Sequence, residues 1–377
     1  MHYLVRDLTV NILKKLQPNK VVIVFGARRV GKTVLVREIL ERLNQPVLIL
    51  NGEDINVHDK LSIRSVENYK QILGSYKLLY IDEAQKIPEI GLKLKLMVDE
   101  IPDLKIIISG SSSFDIDKDA GEPLTGRKYT FSLFPLSENE FNQIENDIEK
   151  IDKVSERLVF GNYPELLQLP DRQDKIDYLN EMVSSYLLKD ILIYENIKNS
   201  QKIFNLLRLI AFQIGAEVSL QELGKQLGLS KNTVEKYLDL LSKVFILQKV
   251  EGFSRNLRKE ITKNSRWYFL DNGIRNAVIA NFNSLKARND IGQLWENYMI
   301  SERLKFQEYK NFSSNNYFWR TYDQQEVDWV EEREGHLFGY EFKWKETKIK
   351  APSQWKLAYP EASFEVIHIT NFSQWLK

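Results

Sequence analysis

The eight residues Gly26-Ala27-Arg28-Arg29-Val30-Gly31-Lys32-Thr33 constrain this chain more than any other stretch. They follow an apolar run, Val21–Phe25, and precede a segment, residues 34–43, whose apolar positions carry helical spacing. A buried strand that turns through glycines into a helix is half of a strand–helix–strand unit, and such units assemble into parallel sheets with both faces covered. The loop N–H groups, continuing into the first helical turn at Val34, converge with the helix dipole on one point, where they hold phosphate oxygens. Lys32 then reaches the β- and γ-phosphates, and the Thr33 hydroxyl ligates Mg²⁺. The spacing Gly-x4-Gly-Lys-Thr therefore predicts a nucleotide-binding chain with ATP or ADP and Mg²⁺ as ligands.

Composition narrows the setting. A chain of 377 residues holds two or three domains, each large enough for its own core. With 53 Lys and Arg against 52 Asp and Glu the net charge is +1, which leaves room for a local basic face. The absence of cysteine excludes disulfides and thiolate metal sites, and the four histidines lie far apart in sequence. Any metal is then a hard ion held by carboxylates and phosphates. The first eight residues lack the apolar core of a signal peptide, and no apolar run approaches membrane-spanning length. The expectation is a cytoplasmic protein with no membrane partner.

Taken in order, residues 4–16 read as a short helix closed by Gln17-Pro18-Asn19. After the phosphate loop, residues 47–50 read as a neighbouring parallel strand and 57–73 as a polar helical stretch. The next strand, 77–81, ends in Asp82-Glu83-Ala84-Gln85. Four apolar residues and then Asp-Glu form a Walker B pattern: Asp82 holds the Mg²⁺ hydration shell, and Glu83 polarises the water that attacks the γ-phosphate. Gln85 either assists or lies on the surface. Helix Ile90–Glu100 leads to a strand over 105–109, which runs into Gly110-Ser111-Ser112-Ser113. Ser109 and Ser111 are each candidates to sense the γ-phosphate or orient the water, and serine-rich strand ends are also ordinary turn chemistry.

The set Gly-Ala-Arg-Arg-Val-Gly-Lys-Thr, Leu-Leu-Tyr-Ile-Asp-Glu-Ala-Gln, Ile-Ile-Ile-Ser-Gly-Ser-Ser-Ser and Gly-Glu-Pro-Leu-Thr-Gly-Arg-Lys resembles a family of AAA-type (P-loop, ASCE) ATPases common in archaea and bacteria. In that family a C-terminal domain long of unknown function follows the ATPase. The resemblance continues through Phe134-Pro135-Leu136-Ser137, Gly161-Asn162-Tyr163-Pro164-Glu165 and Tyr186-Leu187-Leu188-Lys189-Asp190, and so spans nearly the whole chain. It implies that Arg127 acts as an arginine finger in trans or as a γ-phosphate sensor. A guanidinium there neutralises transition-state charge or, equally, pins a loop to the sheet.

Residues 151–200 carry helical spacing and fit a small lid behind the nucleotide, with residues 161–164 as its turn. Helices over 204–212, 219–227 (Ser219 as N-cap) and 231–241, with a tight Gly228-Leu229-Ser230 turn and a strand over 244–250, read as a winged helix-turn-helix. Its second helix offers Lys231, Asn232, Thr233, Lys236 and Tyr237 to phosphates and base edges, so DNA is the expected partner. The alternative is a packing or protein-docking module. Arg255, Arg258 and Lys259 add to the basic face or form a solvated charge run. Residues 267–273 join this module to the last one as a buried strand and a turn.

The last hundred residues read α-β-β-β-α-β. Asp328 lies on one strand and Glu341-Phe342-Lys343 on the next, so Glu341 and Lys343 share one face. Two carboxylates that bind Mg²⁺ or Mn²⁺ beside a lysine resemble the PD-(D/E)xK nuclease constellation, and Glu296 sits where its helix often adds an acid. Glu326-Val327-Asp328 replaces the leading Pro-Asp of that pattern.

The expected fold class is α/β: a P-loop NTPase parallel sheet with a helical lid, a winged helix-turn-helix, and a restriction-endonuclease-like α/β module. The boundaries are 1–150, 151–200, 201–252, a connecting segment 253–285, and 286–377. Three functions compete: an ATP-regulated DNA nuclease, an ATP-driven DNA- or protein-binding switch with an inert nuclease fold, and a STAND-like signalling ATPase. The last acts as a homo-oligomer with Arg127 between subunits.

Overall fold

The structure is a computed structural model that describes residues 4–111, 124–146, 148–187, 200–254 and 265–377. Ser112, Ser113, residues 121–123, Leu188, Lys189, Asp190, Arg255, Arg258 and Lys259 lie outside the described residues. The chain divides into two units. The first is Met1–Leu136 with Lys243–Phe245; the second is Ser137–Ser242 with Ile246–Lys377.

In the first unit, helix α1 (Leu8–Lys15) precedes strand β1 (Val21–Phe25), whose five residues are all buried. Helix α2 (Lys32–Leu43) follows, then β2 (Leu48–Asn51), α3 (Ile55–Ser62), α4 (Val66–Leu73), β3 (Leu78–Asp82), α5 (Ile90–Glu100), β4 (Lys105–Gly110) and β5 (Lys128–Ser132). The strands form one parallel sheet in the order β2-β3-β4-β1-β5. Two expectations change, and one strand is added. The helical stretch over 57–73 breaks because Ser65 caps α4 and Asn68 Nδ2 donates to Lys60 O and Ile63 O. The strand expected beside β1 pairs only with β3, as an edge strand with every second residue exposed. The fifth strand was not legible, because Lys128, Tyr129 and Thr130 read as loop polarity while their backbone pairs with β1. Ile23, Ile81, Ile106 and Ile108 bury one face of the sheet against Leu94 and Met97 of α5.

The second unit begins with α6 (Glu138–Phe141), closed by a capping box of Ser137 and Glu140. It continues with α7 (Lys150–Phe160), α8 (Arg172–Glu181), α9 (Ser200–Phe212), β6 (Glu217–Val218), α10 (Leu220–Leu227), α11 (Lys231–Lys243), β7 (Leu247–Gly252) and β8 (Ser265–Phe269). Then come α12 (Asn272–Val278), α13 (Ile291–Lys310), β9 (Asn315–Arg320), β10 (Glu326–Arg333), β11 (His336–Phe342), α14 (Ser353–Ala358), β12 (Ser363–Ile367) and α15 (Phe372–Trp375).

The helices expected as a lid on the nucleotide belong to this unit. Asn276 of α12 donates to Leu158 O and Val159 O at 3.0 and 2.8 Å, and Asn162 N donates to Asp271 at 2.7 Å. Asp271 is not a turn residue but the N-cap of α12, accepting from Ile274 N. Gly161 and Gly273 have no room for a side chain: a Cβ at either would lie 2.0 Å from Asp271 Oδ1 or Phe160 O. The Gly-Asn-Tyr-Pro and Asp-Asn-Gly motifs are thus two halves of one clasp.

Seven strands form a single sheet, β12-β11-β10-β9-β7-β8-β6. Its two ends were expected as separate modules, but β7 and β9 pair in parallel at Glu251↔Tyr317 and Gly252↔Phe318. Phe253 N continues the ladder to Phe318 O at 2.7 Å. Trp319, Val327, Val330 and Trp355 pack with Phe253 into one core that spans the junction. Among the described residues no helix is long and apolar enough to cross a membrane.

Candidate nucleotide site and acidic cluster

The loop after β1 is fixed from outside. Gly26 lies against the β5 exit, where a Cβ would stand 2.2 Å from Leu133 O, and Leu133 N donates to Phe25 O at 2.7 Å. Arg29 and Gly31 adopt positive φ of 63° and 96°, a turn that glycine makes without strain at the second position. The buried Arg6 guanidinium donates to Val30 O and to Phe134 O, both at 2.7 Å, and so buckles the phosphate loop to the β5 exit. The helix expected over residues 4–16 starts only at Leu8, two positions after Arg6. Sequence reasoning missed Arg6; its only signal is an arginine at the edge of an apolar helical face.

Gly31 is the N-cap of α2, so the first N–H groups of that helix, including those near Val34, face the loop. Lys32 is 6% exposed and donates to Gly26 O and Ala27 O at 2.9 and 3.0 Å. Arg28 is half-buried and Arg29 exposed on the rim. Thr33 Oγ1 donates to Asp82 Oδ2 at 3.0 Å, which joins the loop to the end of β3 across 49 residues. A hydroxyl beside a carboxylate is a hard-oxygen pair that fits Mg²⁺.

Strand β4 lies between β1 and β3; it carries Ser109, and Ser111 follows its last residue. Ser109 donates to Asp82 Oδ1 and lies 3.0 Å from the Tyr80 hydroxyl. Burial pushes the Tyr80 phenol up, so it stays protonated and donates into a Tyr80–Ser109–Asp82 relay. Ser111 instead accepts from Gln85 Nε2 at 3.1 Å, and the same nitrogen donates to Glu83 Oε2 at 2.5 Å. Glu83 sits in the left-handed region at φ 48°, ψ 43°, unusual for a residue with a side chain.

Arg127 is not at this site. Its carbonyl accepts from Val21 N at 2.8 Å, and the β1–β5 register starts at Val21↔Lys128. The phosphate loop leaves the other end of β1, five residues on, which at ~3.3 Å per residue is roughly 16 Å away. Arg127 pairs there with Asp99 of α5 at 2.5 Å. A cis γ-phosphate sensor is therefore corrected to a residue that pins the amino end of the sheet.

The second candidate site forms on the seven-stranded sheet. Lys343 Nζ donates to Glu341 Oε1 at 2.7 Å, and Asp328 Oδ2 accepts from Phe342 N at 2.9 Å. Burial raises the Asp328 carboxyl well above the usual range, with the Glu296 and Glu341 charges adding to it. Burial also lifts Glu296 to about 7 despite the Arg266 guanidinium and a Tyr268 hydroxyl that donates to it at 2.7 Å. Burial opposes the Lys343 ammonium, but its bond to Glu341 and the other carboxylates raise it on balance. All four expected residues are thus brought together.

Arg266 of β8 stands among them and was not anticipated. It is 3% exposed, bonds Glu326 Oε2 at 2.7 Å, and lies 3.8 Å from Glu296 and 3.9 Å from Asp328. Its plane lies over the Phe318 ring at 4.5 Å. Among the described residues no three acidic or histidine side chains are set to hold one metal ion. Of the three acids expected as metal ligands, Glu296 and Asp328 lie within ion-pair reach of the Arg266 guanidinium, and Glu341 pairs with Lys343.

Comparison with known proteins agrees on the first unit. The family model described as an AAA domain matches residues 18–142. Residues 18–142 are thus similar to an AAA domain. Two families described as domains of unknown function match residues 151–285 and 291–370 (DUF8612 and DUF4143). An uncharacterized protein of Methanocaldococcus jannaschii is 26% identical over 311 residues, covering 76% of this chain and 67% of that one. An uncharacterized protein of Mycobacterium tuberculosis is 24% identical over 343 residues, covering 90% and 73%. Among solved structures, a replication initiator DnaA bound to AMPPCP and single-stranded DNA is 13% identical, with a TM-score of 0.32 over 63% of this chain and 86% of that one.

Proposed function

We propose that this protein is an Mg²⁺-dependent ATP hydrolase whose second unit is its output. The observation that carries this reading is the Thr33–Asp82 hydrogen bond, because it joins the two motifs that any P-loop hydrolase must bring to one nucleotide. Lys32 neutralises the β/γ-phosphates, Thr33 and Asp82 hold the metal, and Glu83 accepts a proton from the attacking water. Bound Mg²⁺ supplies charge neutralisation on the phosphate oxygens. Lys32→Ala abolishes turnover with loss of nucleotide affinity, whereas Glu83→Gln lowers kcat roughly 10²–10⁴-fold and keeps binding. ATP hydrolysis at the wild-type rate by Lys32→Ala would overturn the assignment.

For the output we propose DNA binding without cleavage. The order α9-β6-α10-α11-β7-β8, with β6 and β7 both antiparallel to β8, supports a winged-helix reading. Lys231, Asn232 and Lys236 are exposed on α11, the helix that such a module lays in a groove. The order α13-β9-β10-β11-α14-β12 supports a nuclease-like scaffold. Arg266 in its acidic cluster favours binding over metal-dependent cutting. Fluorescence anisotropy with labelled duplex and single-stranded DNA, in ATP and in ADP, tests the first part. Equal absence of binding in both nucleotides sinks it.

A further inference from the structure

The geometry points to Gln85 as a positioning residue that fixes the proton polarity of the nucleotide site, making Glu83 the acceptor and Ser111 the γ-phosphate donor. The inference rests on the ATP-hydrolase reading above.

Gln85 is 7% exposed and sits in a single 3₁₀ turn, Ala84–Lys86, immediately after Glu83. Its Nε2 meets Glu83 Oε2 at 2.5 Å and Ser111 Oγ at 3.1 Å. A carboxylate only accepts, so the group facing Glu83 must be the amide nitrogen. That nitrogen has two hydrogens, and the two contacts use both. One Glu83 oxygen is thereby engaged, and the carboxylate is held in one orientation to take a proton with the other. Ser111 Oγ accepts from Gln85, which leaves its own hydrogen to be donated elsewhere.

Ser109 of β4 and Ser111 just beyond it are thus distinguished. Ser109 spends its hydrogen on Asp82 Oδ1 and accepts from Tyr80, so it orients the Walker B aspartate. Ser111 keeps a donor, and a phosphate oxygen is the acceptor-rich group that the site recruits. The fit around Gln85 is close: a Cβ at Gly110 would lie 2.6 Å from its Oε1, so a side chain there would push the amide. Glu83 in the left-handed region is the strained residue that this clamp holds in place.

The test compares steady-state ATP turnover of wild type, Gln85→Glu, Gln85→Ala, Ser111→Ala, Ser109→Ala and the Gln85→Ala/Ser111→Ala pair, with mant-ADP affinity and melting temperature for each. Gln85→Glu keeps size and removes both donors. It is expected to lower kcat at least 10-fold while KM, mant-ADP affinity and melting temperature stay near wild type. Gln85→Ala and Ser111→Ala are expected to be sub-additive in the pair, because they break one chain of contacts. Full kcat in Gln85→Glu, or strictly additive losses in the pair, overturns the inference while leaving the hydrolase reading intact. A Ser109→Ala loss larger than that of Ser111→Ala reverses the serine assignment and overturns it too. An inactive wild type removes the hydrolase reading itself and this inference with it.

Discussion

The amide of Gly52 donates to the Asp82 carbonyl at 2.8 Å, and a Cβ at position 52 would stand 2.3 Å from the Glu83 carbonyl oxygen. The chain leaving β2 therefore lies directly on the backbone of the two Walker B acids, and backbone cannot yield as a flexible side chain does. Gly52→Ala is expected to displace Glu83 and lower kcat by roughly 10²-fold. Overpacking of this kind costs about 1–3 kcal/mol of stability. Steady-state turnover and a urea melt check this, and an unaltered kcat shows that the contact does not set the position of Glu83.

Arg127→Ala is expected to leave ATP turnover unchanged. The residue pairs with Asp99 at the amino end of the sheet, and both side chains are more than 30% exposed, so the loss of stability is about 1 kcal/mol or less. A fall of the order of 10³-fold, the scale of an arginine finger, shows instead that Arg127 serves a neighbouring nucleotide in trans. Light scattering with ATP distinguishes the two directly.

The stability of the second unit is expected to rise on acidification through neutral pH. Glu296 goes from 4.5 to about 7 on folding, so the native state holds this proton more tightly than the unfolded chain. Its favourable contribution is complete below the unfolded value and is lost as pH rises through about 7. The buried Asp271, raised to about 6, acts in the same direction. Melting temperatures of wild type and Glu296→Gln between about pH 5 and pH 8 should diverge, with the variant flatter. Parallel curves contradict the assignment.

Arg266→Met strands Glu296, Glu326 and Asp328 without their shared cation and is expected to cost about 3–5 kcal/mol. Adding Asp328→Asn to that variant should restore part of the loss, since one buried acid is then neutral. Wild type with Mn²⁺ is expected to leave plasmid, linear duplex and single-stranded DNA intact. Metal-dependent cutting that disappears in Glu341→Ala would mean that a metal ion displaces Arg266 from the cluster.

What could be read beforehand followed from local pattern. Val21–Phe25, Lys32, Thr33, Asp82 and Glu83 announce themselves through an apolar run, a glycine turn and paired acids, each a short-range signal. Ser219 as an N-cap and the α-β-β-β-α-β order of the last hundred residues were legible for the same reason. Arg6 and Arg266 were not, because their contacts depend on partners brought by the fold, and for Gln85 the pattern left assistance and a surface place open. Arg6 reaches Phe134 across 128 positions, and Arg266 reaches Glu326 across 60. Arg127 misled because an arginine following the serine strand in sequence lies at the far end of the sheet once β5 pairs with β1. The parallel β7–β9 pairing left no trace in residue type, since Glu251, Gly252, Tyr317 and Phe318 show no shared pattern.

That pairing has a practical bearing on how this protein is dissected. Cutting the gene between residues 253 and 314 would leave two fragments, each with a raw strand edge, where the intact chain has a continuous ladder. Such pieces are expected to aggregate or to recombine with each other when co-expressed. Grafting experiments that move the basic helix α11 into another protein should therefore carry everything through the final strand. Neither half closes its own sheet.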